Sequence, residues 1–400
     1  MKQLWLMLIG GVGLYVLSTG VSLAAFRFLN TRPQGFTSPL PSEGGFGLMI
    51  DPGEAKDQQC PINGSMLTKT EKKAWEEKRP VVAMVENHPD ARPQSGLSTA
   101  DVMYEAVAEG GITRFMGVFY CGAQATLGKI APVRSARMYF VNLATEYNTP
   151  VYVHVGGGNC GRDQTTGECV SNKKAWALEE LADLGWRRRG GNDFDTIGDI
   201  GAPILKRDET RLGPGKGLAV EHTMVGFLDK IWAEAAKRSF GSKNEKGVKW
   251  LDGFKQWKFQ KDAEEDKRGD VAKISFDFWD EYEDFTVTWE YDKPTNRYKR
   301  LTGGQPHTDL ENNQQLVASA IVVQLVKEEG PLDSPKHMYY EVMGKGKAVI
   351  FQNGQAIQGG WEKKDQMART VFTDEKGKEL ALVGGPIFIE LVPARQQVTY

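Results

Sequence analysis

"GKIAPVRSARMYFVNLATEYNTPVYVHVGGG", residues 128–158, decides the fold. Met138, Val141 and Leu143–Ala144 recur at helical spacing, and Ser135 stands where an N-cap would. "VYVHV" (151–155) is a short apolar strand that runs into Gly156–Gly158. Upstream, "VVAMVE" (81–86) and "RFMGVFY" (114–120) carry the same strand signal. Strand, helix, strand at this spacing predicts a βαβ-like unit. "TKTEKKAWEEKRP" (68–80) predicts a short charged helix ended by Pro80, and two amphipathic helices are expected over 173–184 and 223–237.

Beyond residue 271 the pattern changes. "FTVTWEY" (285–291) alternates, "AIVVQLV" (320–326) is a buried-strand run, and "KAVIFQNGQAI" (347–357) carries an Asn353-Gly354 hairpin signal. "RTVFTDEKGKELALVGG" and "PIFIELVP" continue the theme. A chain of 400 residues exceeds one ordinary core. The expected class is α+β, with a mixed α/β domain over 60–240, a charged connecting region over 241–270 and a mostly antiparallel β domain over 271–400.

The N-terminus bears on compartment. From Gln3 to Phe26 no residue is charged, a length sufficient for a helix to cross a hydrocarbon layer. A cleaved signal peptide ending near "SLA" (22–24) is the competing reading. An uncleaved anchor over 1–26 is preferred, followed by a Gly-, Pro- and Ser-rich spacer over 27–59. These readings place the folded part outside the cytoplasm, on a single-pass anchor or, after cleavage, secreted. No cysteine precedes Cys60, so a bacterial lipid-anchored N-terminus is not expected. Four cysteines are consistent with an oxidising compartment. Cys160 and Cys169 bracket a short polar loop suited to a disulfide, which leaves Cys60 with Cys121 as the other pair, against the alternative of free thiols. The spacings are irregular and lack CxxC, so no metal centre is assigned.

Lys and Arg number 50 against 52 Asp and Glu, so no global basic field recruits nucleic acid. Local charge is more telling. Arg134 and Arg137 flank Ser135 at the expected helix start, a place that favours anions and where guanidiniums grip phosphate bidentately. Against this stands a structural reading, in which each arginine pairs with Glu86, Glu105 or Glu109. In "ENHPDARPQSGLS" (86–98), Asn87, His88, Arg92, Gln94 and Ser95 crowd a proline-shaped loop directly after a strand. "YEAVAEGGITR" (104–114) adds Arg114, with Glu105 and Glu109 spaced for one helical face and thus for acid–base or metal work. His154 is either a core or a pocket histidine. "GGQPHTD" (303–309) reads as a turn. Signatures of serine hydrolases and zinc peptidases are absent.

The stretches "RPVVAMVENHPDARPQSGLSTADVMYEAVAEGGITRF" and "GKIAPVRSARMYFVNLA", with "NGQAIQGGW" and the β-rich tail, resemble the YerB-type lipoprotein family. The resemblance implies a bacterial envelope protein with an N-terminal and a C-terminal domain, and brings no catalytic residue. The anchored, extracytoplasmic arrangement also resembles the LytR-CpsA-Psr phosphotransferases, although Ser135 stands where those enzymes carry an aspartate.

Three functions follow as expectations. The first is capture of an anionic envelope ligand (polyprenyl diphosphate, glycopolymer or peptidoglycan fragment) by Asn87, His88, Arg92, Gln94, Ser95, Arg114, Arg134, Ser135 and Arg137. The second is glycopolymer or phosphoryl transfer using Glu105 or Glu109, with His154 as a further candidate and Mg2+ as cofactor. The third is a scaffold whose β-rich domain docks a protein partner. No cofactor is assigned outside the second.

Overall fold

The computed structural model describes residues 50–124 and 128–400. The expected anchor over 1–26 and most of the spacer lie outside them. Among the described residues no helix is long and apolar enough to cross a membrane.

The fold is α+β and its main sheet has ten strands. In chain order these are β1 (Val81–Glu86), β2 (Val102–Glu109), β3 (Ile112–Phe119), β4 (Val151–His154) and β5 (Asp193–Asp195). A second sheet holds β6 (Lys273–Phe276), β7 (Val287–Asp292) and β8 (Arg297–Thr302). The chain then returns to the main sheet with β9 (Ala320–Val326), β10 (Gly344–Gln352), β11 (Gln355–Lys363), β12 (Val371–Asp374) and β13 (Ile387–Pro393). The spatial order is β12-β11-β10-β9-β13-β2-β3-β1-β4-β5. Strand β13 pairs parallel with both β9 and β2, so one sheet runs unbroken through both halves of the sequence.

Four helices are labelled: α1 (Lys69–Trp75), α2 (Met138–Ala144), α3 (Ala177–Asp183) and α4 (Leu228–Lys237). Helix α1 starts at a Thr68/Glu71 capping box and ends before Pro80, as its sequence predicts. Strands β1 and β4 are parallel, as are β4 and β5, with α2 and α3 on the intervening crossovers. This is the expected βαβ logic. The Asn353-Gly354 hairpin also forms, both residues having positive φ as a two-residue turn requires. Both disulfides pair as expected, Cys60 with Cys121 and Cys160 with Cys169.

Four local expectations are corrected. Ser135 does not cap α2. Residues 134–136 are extended instead, because Arg134 N–H donates to Met84 O (3.0 Å) and Ala136 N–H to Gly156 O (2.9 Å). The helix begins only at Met138, with Arg137 at the N-cap and no side-chain cap bond. Glu105 and Glu109 lie on strand β2, not on a helix, since neighbours on both sides pair with its backbone. The helix expected over 223–237 is a strand, Met224–Phe227, followed by α4. That over 173–184 is a one-turn 3-10 segment followed by α3.

Candidate functional site

The predicted residues fall on the two faces of the sheet. Strands β1 and β3 are antiparallel, with Glu86 opposite Arg114. Directly opposed residues share a face, and their sequence neighbours take the other. Glu86 and Arg114 therefore belong to one face, Asn87, Thr113 and Glu105 to the other.

On the first face the "VRSAR" segment lies beside β1 and its arginines meet carboxylates. Arg134 Nε stands 3.0 Å from Glu86 Oε1. Arg114 Nη2 donates to Glu109 Oε1 at 2.7 Å, and Arg137 Nη2 pairs with Glu109 Oε2. Ser135 contributes its backbone carbonyl, which accepts from Arg114 Nη1 at 3.0 Å. Three guanidiniums thus share two carboxylates. Arg134 and Glu109 keep about a quarter of their side-chain surface in solvent (24% and 23%), whereas Arg114 and Arg137 are buried. The second oxygen of Glu86 accepts from His222 Nδ1 at 2.8 Å, and His88 stacks on His222 with ring centroids 5.0 Å apart. His222 is brought there by Arg211, which reaches from the same loop to the carbonyls of Ala91, Pro93 and His222.

Burial raises the pKa of the Glu109 carboxyl, but the charges and hydrogen bonds of Arg114 and Arg137 outweigh it and hold Glu109 far below the usual carboxylate range. The folded state thus binds fewer protons than the unfolded one, so this contribution is present above about pH 4.5 and lost on acidification below it. Glu109→Gln is expected to flatten the acid limb of a Tm-versus-pH curve; an unchanged limb would contradict the assignment.

On the opposite face the polar groups are sealed. Asn87 Nδ2 donates to Glu105 Oε1 (3.0 Å) and Thr113 Oγ1 (2.8 Å), while Asn87 Oδ1 accepts from Arg92 Nε and Gln94 Nε2. Arg92 also donates to the Asn87 and Asp284 carbonyls and covers the Phe285 ring. Gln94 Oε1 accepts from His307 Nε2, and His307 Nδ1 accepts from Arg300 Nε, which makes His307 a neutral tautomer. Arg300, fully buried, pairs with Glu105 Oε2 and Glu390 Oε1. Glu105 is therefore committed to a buried ion pair. Ser95 takes part through its backbone, exchanging hydrogen bonds with Ala131. The turn expected at 303–309 forms at Gly303–Gly304, both at positive φ, where β8 turns back onto Gln305–Pro306. Asp309 at its far end also anchors the neighbouring loop, accepting from Gly96 N, Ser98 N and Ser98 Oγ. Gly96 has φ 86°, and an added Cβ would meet the Lys129 carbonyl.

His154 lies apart from both groups. Nε2 faces Asp193 Oδ1 (2.5 Å) and Nδ1 faces Gly156 O (2.7 Å), both acceptors, so the ring carries two protons. Burial lowers its pKa, yet the Asp193 hydrogen bond and the Asp193 and Asp195 charges raise it overall. Two concavities, of about 480 Å³ beside Lys345–Lys347 and Trp361 and about 400 Å³ beside Cys160 and Arg187, are lined by none of the predicted anion-binding residues. The arginine group forms a shelf that reaches solvent only at Arg134 and Glu109. Glu86, His222, Arg300, His307 and Glu390 were not singled out as site residues by sequence. For Arg300 the signal is the strict in–out alternation of β8, which places an arginine in the inward phase with Tyr298 and Thr302.

Comparison with known proteins agrees with this architecture. Residues 67–200 match the family described as "Protein of unknown function (DUF3048) N-terminal domain", and residues 274–389 match its C-terminal domain. The chain belongs to this two-domain family. It is similar to a protein of Bacillus subtilis (strain 168) named "Putative lipoprotein YerB", 29% identical over 347 residues, which are 86% of this chain and 88% of that protein. The crystal structure of the Bacillus subtilis YerB protein superposes with a TM-score of 0.65 at 25% identity, covering 86% of this chain and all of that one.

Proposed function

We propose that this chain is an extracytoplasmic cell-envelope protein, held at the membrane by residues 1–26, that binds a phosphate-bearing envelope ligand on the Arg134 shelf. The observation that carries the reading is the surplus of guanidinium on that shelf: Arg114, Arg134, Arg137 and Arg211 against Glu86, Glu109 and exposed Glu221, with Arg134 about a quarter exposed. A surplus guanidinium beside a partly exposed rim suits a diphosphate, which accepts bidentate charge-assisted bonds. Two disulfides and the lipoprotein name of the Bacillus subtilis relative support the compartment.

The test is a thermal-shift titration of the detergent-solubilised full chain with pyrophosphate, for wild type and Arg134→Ala. Saturating ligand at a hundred times Kd adds about 2.7 kcal/mol. The expected result is a saturable rise in Tm that the variant loses. A flat titration in wild type, with the variant merely less stable, would make the arginines braces of the fold and defeat the proposal.

A further inference from the structure

We propose that His88, His222 and Asp90 form a binding site for a divalent transition-metal ion of the zinc class, with Glu86 as the residue that positions His222. One donor atom from each of the three lies within 4.8 Å of the others. His88–Pro89–Asp90 opens a 3-10 turn with His88 at its N-cap, which places the Asp90 carboxylate 3.7 Å from His88 Nδ1. His222 arrives from the loop strapped down by Arg211.

The second observation is the state of His222. Its Nδ1 is engaged by the buried Glu86 carboxylate, an acceptor, so Nδ1 carries a proton and Nε2 is the nitrogen left for a ligand. Nε2 has no hydrogen-bond partner among the described residues. A carboxylate behind one imidazole nitrogen, with the other left open, is the arrangement that orients metal-bound histidines and raises their basicity. The other three histidines are differently placed. His154 and His307 have both nitrogens occupied. His337 has Asp333 on Nδ1 much as His222 has Glu86, but it belongs to no trio of donor atoms among the described residues. One other trio of donors occurs among the described residues, Cys60, Asp101 and Cys121, but its sulfurs are joined in a disulfide.

Donor type selects the ion. Two imidazoles and one carboxylate suit Zn2+ and its neighbours, whereas Mg2+ demands oxygen donors in an octahedron. Zn–N and Zn–O bonds of about 2.0–2.2 Å in a tetrahedron bring ligand atoms to roughly 3.4 Å apart. The site must therefore close, and its surface half can do so. His88 and Asp90 are 32% and 76% exposed, while His222 is fixed at 8%. Closing the site requires His88 to leave its stack on His222 and the hydrogen bond that its Nδ1 accepts from Asp90 N–H (3.2 Å). Three protein ligands leave a fourth position for water or an anionic oxygen.

The site does not depend on anion binding at Arg134, and the experiment separates the two. Tag-free, chelator-treated full chain is titrated with Zn2+ in phosphate-free buffer by calorimetry, and with Co2+ by absorption. Wild type is expected to bind one equivalent of Zn2+ and to give the intense visible bands of four-coordinate Co2+. His88→Ala and Asp90→Asn, both at exposed positions, are expected to lower Zn2+ affinity at least about tenfold, while His337→Ala leaves it unchanged. Circular dichroism confirms that the variants are folded. Absence of saturable binding in wild type, or wild-type affinity in His88→Ala, overturns the site. Either result leaves the pyrophosphate titration to be judged alone.

Discussion

Replacing Arg300 by alanine is expected to lower stability by about 3–5 kcal/mol, the cost of breaking a buried ion pair by removing one partner. Arg300 is fully buried between Glu105 and Glu390, and its guanidinium also lies over the rings of Phe115, Trp289 and Phe388. Glu105 comes from strand β2 and Glu390 from β13, the two strands whose parallel pairing joins the N-terminal and C-terminal halves of the main sheet. One cation serves two carboxylates there, and burial, set against the attraction of Arg300 and reinforced by Glu105, pushes the Glu390 carboxyl up to about 8. Without Arg300, Glu105 faces Glu390 with no cation between them. Scaled to a chain of this size, the loss corresponds to a Tm lower by roughly 4–7 °C. Adding Glu105→Gln and Glu390→Gln to Arg300→Met removes the stranded charge and its carboxyl neighbour and is expected to recover most of it. Lys293→Ala, at an exposed pair with Asp270, serves as control. Calorimetry decides: an Arg300→Ala protein as stable as wild type would mean that the network contributes nothing to joining the halves.

Much of this fold is legible from local pattern, and the site is legible only in part. Strands β1, β4, β7, β9 and β13 announce themselves as apolar or alternating runs, and the hairpin of β10 and β11 by Asn353-Gly354. What local pattern does not carry is which strand lies beside which. The pairing of β13 with β2 links residues almost three hundred positions apart, and nothing in "VMYEAVAE" or "IFIELVP" encodes it. The same gap explains Glu105 and Glu109. A spacing of four puts two residues on one face of a helix, but tertiary pairing made this segment a strand, and a bulge between Val107 and Glu109 turns the two carboxylates to opposite faces of the sheet. Ser135 was misplaced for a related reason. Its neighbours satisfy their backbone groups on Met84 and Gly156 rather than in a first helical turn. The arginine–carboxylate pairings were weighed correctly as one alternative, because glutamates within reach were visible in sequence. His222 was not, since only the loop held by Arg211 brings it to Glu86.

Loss of the Cys60–Cys121 disulfide is expected to cost more than loss of Cys160–Cys169, and the order of reduction should be the reverse. The first closes a loop with sequence separation 61, the second one of 9. Chain-entropy arithmetic gives about 4 kcal/mol for the longer loop and about 2.6 kcal/mol for the shorter. Native contacts around the longer one are already tight. The Asp101 carboxylate accepts from the backbone N–H groups of Tyr120, Cys121 and Gly122 and from Asn63 Nδ2, and Trp75 packs on Tyr120. With Cys60 and Cys121 held by these groups whether or not the bond exists, its removal acts chiefly by freeing the unfolded chain. Cys60 and Cys121 are buried, whereas Cys169 is exposed in its polar loop. A mild thiol under native conditions is therefore expected to open Cys160–Cys169 first, with a small change in Tm, and to reach Cys60–Cys121 only when denaturant unfolds the chain. Mass spectrometry after thiol alkylation, followed by calorimetry of each reduced species, reads both quantities. If Cys60–Cys121 opens first in the folded protein, or if its loss lowers Tm less than loss of the short loop, then the Asp101 clasp does not enclose it as described.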